Sequence, residues 1–240
     1  MQSRSHHRLG ALALALALLA ASGCKGGHAP SADASASGPL PASITREAVH
    51  GTPLAEWTAN WWRWAEAQPT PPYADTDGSA CAVGQRGPVW FLAGTDGSFQ
   101  PQRTCHVPAG RHVLLPVINM LVYQGNAFER CSQMQADAAV NNQHLRAAEV
   151  LLDGQSLGDI HAHRVASDGC FPLDAGDGEA ALAAADGYWL MLKPLSPGRH
   201  TLQVRARYDT PQGGAFSGLQ QDFDYVLLVG DAAAPRNAAP

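Results

Sequence analysis

The chain has 240 residues, of which 16 are Lys or Arg and 21 are Asp or Glu, so its net charge at neutral pH is −5. Residues 1–24 hold two of the arginines and none of the acids, which leaves 14 basic against 21 acidic residues, a net charge of −7, in the remainder. Proteins that bind nucleic acid or anionic lipid usually carry a basic cluster, and this net-negative sequence has none. We therefore expect no nucleic-acid partner.

Residues 1–24 have the pattern of a lipoprotein-type signal peptide. Two arginines precede an apolar run over 9–21, which is too short to span a bilayer of ~30 Å as a helix. Small residues then lead to Cys24 as in a bacterial lipobox, so we expect Cys24 to be lipidated and to anchor the protein to the envelope membrane. Ordinary cleavage nearby, with Cys24 incidental, is the alternative. Lys25 resembles the residue found after the cysteine in lipoproteins sorted to an outer membrane.

The rest of the chain divides by composition. Residues 25–50 are rich in Gly, Ala, Ser and Pro, which predicts a flexible tether without fixed structure. Residues 51–231 are long enough for a single domain with its own core. Residues 232–240 are predicted to be a disordered tail.

Cysteine usage predicts an oxidising, extracytoplasmic location. Four cysteines follow the leader, and an even number in an exported chain indicates disulfides. No C-x-x-C pair is present, which argues against a thiol redox site or a zinc knuckle. Three connectivities are possible, and we favour the least nested one, Cys81–Cys105 with Cys131–Cys170.

A tryptophan-rich helix is predicted to begin at Thr52-Pro53, because a capping hydroxyl precedes proline at the first helical position. Pro69 ends it. Trp62 lies off the main apolar stripe of this helix. It either packs against a sheet face together with the other tryptophans of the helix or forms a stacking platform for a sugar or another flat ligand. Three tryptophans share the stripe and are predicted to be buried: Trp57, Trp61 and Trp64.

Two apolar runs, 89–92 and 113–122, read as central strands buried on both faces. Pro116 lies inside the second run. Because proline has no N–H to donate to a ladder, this position predicts a bulge or an open edge.

The later part of the chain is predicted to be mainly strands. A helix is predicted over 132–146, with Met134, Ala138 and Leu145 as core contacts. A type I′ hairpin is predicted around Asp153-Gly154. The acidic, alanine-rich stretch 174–186 is predicted to be a mobile connection. Further strands are predicted over 160–165, 188–192, 199–208 and 223–229.

Several strands joined by short turns predict a mainly β fold. We expect an antiparallel β-sandwich, Ig-like or jelly-roll-like, with one or two flanking helices.

Several motifs together resemble a family of uncharacterised secreted bacterial proteins. The likeness covers about residues 51–208, and it implies an exported, β-rich domain with no established activity, so no catalytic residue is carried over. The motifs are Trp57-x3-Trp61-Trp62-x-Trp64, Cys81, the run 87–94, Cys105-x-Val107-Pro108-Ala109-Gly110 and 187–190.

Candidate ligand-binding residues lie on and after the tryptophan helix. Trp62 could stack on a ligand, and Asp75 and Asp77 are acids in the loop that follows. Glu56 and Glu66 on the helix are further acids near the aromatic cluster. A pair of such carboxylates could also serve glycoside hydrolysis.

His161 and His163 would place two imidazoles on one face of a strand, which is a spacing that can hold zinc or copper. A solvated strand face explains the same pattern without a metal.

The sequence contains no nucleophile elbow and no nucleotide-binding glycine motif, so we expect no cofactor. We expect a lipid-anchored, extracytoplasmic binding domain whose ligand is a glycan or another envelope component, including an envelope protein. The alternatives are a secreted glycan-acting hydrolase with a carboxylate pair and a periplasmic metal-binding protein.

Overall fold

The computed structural model describes residues 41–174 and 180–230. The predicted leader with Cys24, most of the predicted tether and the predicted tail lie outside the described residues, so these three predictions stay open. Within the described residues, no helix is both long and apolar enough to cross a membrane.

Strands dominate the described chain. The helices are α1 (Leu54–Glu66) and α2 (Cys131–Asn142), and short 3₁₀ turns lie at Pro72–Ala74 and Ile160–His163. The strands are β1 (Ile44–Thr45), β2 (Val89–Phe91), β3 (Gln102–Pro108), β4 (His112–Tyr123), β5 (Leu145–Leu152), β6 (Gln155–Ser156), β7 (Arg164–Ala166), β8 (Phe171–Asp174), β9 (Ala180–Leu192), β10 (Gly198–Tyr208) and β11 (Gln220–Gly230).

The strands form two sheets, and the predicted β-sandwich with flanking helices is confirmed. The first sheet has the order β1-β9-β4-β2, with β7 and β8 also paired to β9, and the second has the order β3-β11-β10-β5-β6. The sheets are mixed rather than purely antiparallel, because β2 runs parallel to β4 and β3 runs parallel to β11. The run 89–92 was predicted to be a central strand, but β2 ends the order of its sheet; it is buried on both faces because a helix covers it.

Two apolar cores follow from this arrangement. One lies between the sheets, where Leu115, Leu190 and Leu227 are fully buried. The other lies between α1 and the outer face of the first sheet, where Trp61 meets Trp189. Alternate residues of β9 serve the two cores, which is the period-two pattern of a strand covered on both sides.

The folded domain begins earlier than predicted. Ile44 pairs with Leu192 at the edge of the first sheet and is only 3% exposed. Val49 forms a bridge with Thr52 and is also buried. The prediction of a tether without fixed structure is therefore wrong for residues 41–50, because buried side chains and two short pairings hold this segment.

The prediction of a mobile connection over 174–186 is also wrong where the structure describes it. Residues 180–186 form the first half of β9 and pair with β4, β7 or β8. Ala183, Ala184 and Ala185 are buried, although alanine is depleted in strands. Pairing on both edges of β9 outweighs that weak local preference.

Three of the later predictions hold, and one of them, the second helix, ends earlier than predicted. β10 contains the strand predicted over 199–208 and buries Leu202, Val204, Ala206 and Tyr208 on alternate positions. The hairpin of β5 and β6 is confirmed, with positive φ at both Asp153 and Gly154. The second helix ends at Asn142 rather than at 146, because Leu145 already pairs with Tyr208 in β5.

Both predicted disulfides are present, Cys81–Cys105 and Cys131–Cys170. The first ties the loop before β2 to β3, and the second ties the start of α2 to the start of β8. Disulfides are typical of oxidising, extracytoplasmic compartments.

Candidate functional site

The tryptophans of α1 are held by the fold in different ways. Trp61 is 2% exposed, and its indole N–H donates to the Leu92 carbonyl at 2.6 Å. Trp64 is also buried and donates to Val83, whereas Trp57 is only half-buried. The prediction of full burial is thus right for Trp61 and Trp64 and wrong for Trp57, which lies near the start of the helix.

Trp62 is not the exposed platform that its place off the stripe suggested. It is 9% exposed, and its ring meets that of Trp61 edge-on at 4.8 Å. Its indole N–H has no hydrogen-bond partner among the described residues. The contact with Trp61 and the neighbouring wall of a cavity explain its burial.

That cavity, here named the α1 cavity, has a volume of about 380 Å³. Residues of α1, β4, the segment after β2 and the loop before β11 line it. Its walls are largely apolar, with Trp61, Trp62, Pro116, Ile118, Met120, Leu121, Phe216 and Leu219, and its polar side chains are Glu66, Tyr73, Thr95, Asp96, Asn119, Tyr123 and Gln221.

Glu66 is the central polar group of the α1 cavity. The Tyr123 hydroxyl donates to its Oε2 at 3.0 Å, and the Tyr73 hydroxyl donates to its Oε1 at 3.3 Å. Burial, together with the charge of Glu66 and the hydrogen bond to it, raises the pKa of Tyr73 to about 12. The same causes raise the pKa of Tyr123. Both phenols therefore stay protonated at neutral pH and orient the carboxylate.

A second acid, Asp96, lines the same cavity. Hydrogen bonds from the side chain and backbone N–H of Ser98 hold the pKa of Asp96 below its usual value. Asp96 is therefore ionised at neutral pH. Among the described residues that line the cavity, none is basic.

The segment that carries Asp96 is fixed by a buried amide. Gln221 accepts from the Thr95 N–H at 2.8 Å and donates to the Thr95 carbonyl at 2.6 Å. Gly94 allows this approach, because a Cβ there would collide with the Gln221 side chain.

Phe216 stands at the cavity with 59% of its surface exposed and a φ of 59°. Positive φ is uncommon for an aromatic residue and costs energy. Asn119, which also lines the cavity, has a side-chain N–H group without an acceptor among the described residues. Strained backbone and unpaired buried polar groups are both found more often at functional sites than elsewhere.

The two loop acids predicted with Trp62 lie elsewhere. Asp75 accepts backbone N–H groups from residues 77, 78 and 80 and so shapes its own loop, while its carbonyl accepts from Arg103. Asp77 is exposed and bonded to Ser79. Neither lines the α1 cavity.

His161 and His163 do not share a strand face. They lie in the 3₁₀ turn Ile160–His163, which corrects the predicted strand start, and only Arg164–Ala166 forms β7. His161 is exposed, whereas His163 is buried, and its pKa is lowered by burial and by the charge of Arg46. Among the described residues, no group of three or more His, Cys, Asp or Glu is placed to hold a metal ion. Metal binding by the pair stays a prediction.

Part of the cavity had a signal in the sequence. Trp62 and Glu66 are four residues apart on one helix and therefore lie on one face. Asp96, Asn119 and Phe216 come from distant segments, and no spacing links them to α1.

Comparison of the chain with protein-family models, with curated proteins and with solved structures gave no match. The resemblance to a family of secreted bacterial proteins therefore stays a prediction.

Proposed function

We propose that this protein is an extracytoplasmic, lipid-anchored binding domain that takes a small envelope component into the α1 cavity. The observation that carries this proposal is one apolar cavity of about 380 Å³, in which the charged residues among the described wall residues are all acids. Small-molecule sites fall in the range of roughly 300–1,000 Å³ and combine apolar walls with few polar groups.

The charges of the cavity favour a ligand with an apolar body and a cationic group. Glu66 and Asp96 attract a cation and repel an anion. The aromatic rings of Trp62 and Phe216 add a favourable interaction with positive charge. Glu66 is oriented by two tyrosine hydroxyls and keeps further lone pairs for a donor on the ligand.

A glycan, the other ligand class considered, is supported less well. Sugar recognition by stacking needs an open ring face, and Trp62 is only 9% exposed. Phe216 is the more accessible ring of the cavity, but the tryptophans among the described wall residues are buried and leave no open indole face beside it to orient a sugar.

A glycan-acting hydrolase is the second candidate, because two carboxylates line one cavity. Such a mechanism needs one carboxyl with a raised pKa as the acid. The pKa of Asp96 is lowered, and both oxygens of Glu66 accept tyrosine hydroxyls. This arrangement supports binding over acid catalysis.

Calorimetric titration of the mature protein with a matched series tests the proposal. The series is a phenylalkyl ammonium, the corresponding alcohol and the corresponding carboxylate. We expect the ammonium to bind best and the carboxylate worst, and Glu66→Gln to weaken ammonium binding about tenfold, since a charge-assisted bond is lost.

Two further variants sharpen this test. Phe216→Gly removes an exposed aromatic ring and places at this positive φ a residue that adopts it without strain. The free energy of unfolding should therefore change by less than about 1 kcal/mol, while the affinity for the ammonium falls. Asp77→Asn removes an exposed acid outside the cavity and should change neither quantity. Equal affinity for the three compounds, or equal effects of Glu66→Gln and Asp77→Asn, would refute the cation site. Release of sugar from a glycan panel that Glu66→Gln abolishes would favour the hydrolase instead.

A further inference from the structure

A second cavity, of about 490 Å³, lies where β3 and β11 end together and β2 begins. Its apolar walls include Trp90, Val107 and Val229. Its charged wall residue is Arg111, in the turn between β3 and β4, and the exposed His106 lies beside it on β3. We name it the Arg111 cavity.

Arg111 is positioned by an aromatic ring and not by an acid. Its guanidinium carbon lies 5.6 Å from the centre of the Trp90 ring. No carboxylate of the described residues lies within ion-pair distance of it, and its buried Nη1 has no hydrogen-bond partner there. Buried polar atoms are nearly always bonded, and a guanidinium offers five donors in a planar fork.

The guanidinium is partly pre-organised, because its contact with the Trp90 ring restricts the side chain before any anion arrives. Its flat fork matches a carboxylate or a phosphate, which accepts two parallel N–H bonds. The apolar remainder of the cavity has no such preference and suits a hydrocarbon body.

We propose that the Arg111 cavity binds an organic oxyanion, a carboxylate or phosphate group attached to an apolar chain, with Arg111 as the anion-binding residue. This site is separate from the α1 cavity in its residues and opposite to it in charge: acids line the α1 cavity, whereas no Asp or Glu is among the described residues that line the Arg111 cavity. The proposal does not depend on the function proposed for the α1 cavity.

The test is calorimetric titration of the mature protein with octanoate, octyl phosphate, octanol and inorganic phosphate. We expect octanoate or octyl phosphate to bind at least about tenfold more tightly than octanol, since the charged fork is used only by the anions. We also expect them to bind more tightly than inorganic phosphate, which lacks the chain. Octanol binding as tightly as octanoate, or inorganic phosphate as tightly as octyl phosphate, would overturn the proposal.

Variants locate the site. Arg111→Gln should abolish the preference for octanoate over octanol, and Arg111→Lys should weaken it, because lysine keeps the charge but lacks the planar fork. Arg86→Gln is the matched control, an exposed arginine outside the cavity, and should leave octanoate binding unchanged. An Arg111→Gln protein that folds and still prefers octanoate would refute the assignment.

The two cavities also serve as controls for each other. Arg111→Gln should leave phenylalkyl ammonium binding intact, and Glu66→Gln should leave octanoate binding intact. Loss of both kinds of binding in Arg111→Gln, with a lowered thermal midpoint, would indicate damage to the fold. Arg111→Lys, which keeps the charge and most of the side-chain volume, then becomes the deciding variant, and an unchanged preference for octanoate over octanol in it would refute the assignment.

Discussion

The neighbouring residues Trp61 and Trp62 allow one substitution to be compared in two environments. Both rings are nearly buried and lie on the same helix, so Trp→Phe removes a similar volume at each site. They differ in their N–H groups: that of Trp61 donates to the Leu92 carbonyl at 2.6 Å, and that of Trp62 has no partner among the described residues. We predict that Trp61→Phe destabilises the fold much more than Trp62→Phe.

Pro116 explains why the Leu92 carbonyl depends on Trp61. β2 and β4 pair in parallel, with His112 donating to Pro88 and Leu92 donating to Leu114. In this register the next donor to Leu92 O would be residue 116, where proline has no N–H. The indole N–H of Trp61 takes its place.

The magnitude follows from this geometry. Trp61→Phe leaves a buried acceptor unpaired, at a cost of about 1–3 kcal/mol beyond the lost volume. Trp62→Phe removes a buried donor that is already unpaired and so recovers part of a similar cost. We expect Trp61→Phe to be the more destabilising variant by at least about 2 kcal/mol.

Guanidinium unfolding with the disulfides intact measures this difference, as a change in midpoint at constant slope. Pro116→Ala supplies the missing N–H and should cost less in the Trp61→Phe background than in the wild type, which a double-mutant cycle detects. Equal costs for the two tryptophans, or additive effects of Trp61 and Pro116, would show that Leu92 O has another donor.

Two further predictions concern charge and anchoring. The pKa of His200 is raised, because hydrogen bonds to Asp153 and to the Ser196 carbonyl outweigh the opposing effect of burial. The stability that protonated His200 contributes should therefore be complete below about pH 6.5 and be lost as the pH rises through its folded pKa. Denaturant titrations across this range should show the loss in the wild type, and its persistence in Asp153→Asn would contradict the ion pair. For the anchor, Cys24→Ala should release the protein from the membrane fraction and prevent labelling by palmitate, whereas a soluble, unlabelled wild type would exclude the lipoprotein.

Local sequence signals predicted the elements whose pattern is set by their own residues. β10 alternates buried and more exposed positions from Leu202 to Tyr208, and the Asp153-Gly154 turn has the φ values that its residue types favour. Pro116 predicted a bulge or an open edge, and the register of β4 against β9 does shift between 116 and 118. At the turn and at Pro116, one residue type restricts the backbone strongly enough to outweigh distant contacts.

Elements that depend on distant partners were not predictable in this way. The alanines at 183–185 have little strand preference of their own. They belong to β9 because they pair with β4. The imidazoles of His161 and His163 differ in burial because a 3₁₀ turn replaces the expected strand. For the candidate site, the helix spacing of Trp62 and Glu66 was visible, whereas the turn that brings Asp96 and the loop that brings Phe216 were not.

The proline that breaks the ladder also accounts for the place of the α1 cavity. Residues 113–118 of β4 are buried between α1 and the second sheet, whereas residues 119–122, after the register shift, are only partly buried. Pro116 itself and residues 118–121 line the cavity, as does Trp61, whose N–H replaces the missing donor. Glu66, one turn beyond Trp62, meets Tyr123 at the far end of the same strand. Trp61, which compensates for the irregular strand, thus also lines the cavity, so an evolutionary change that regularised the ladder at position 116 would remodel the cavity wall as well.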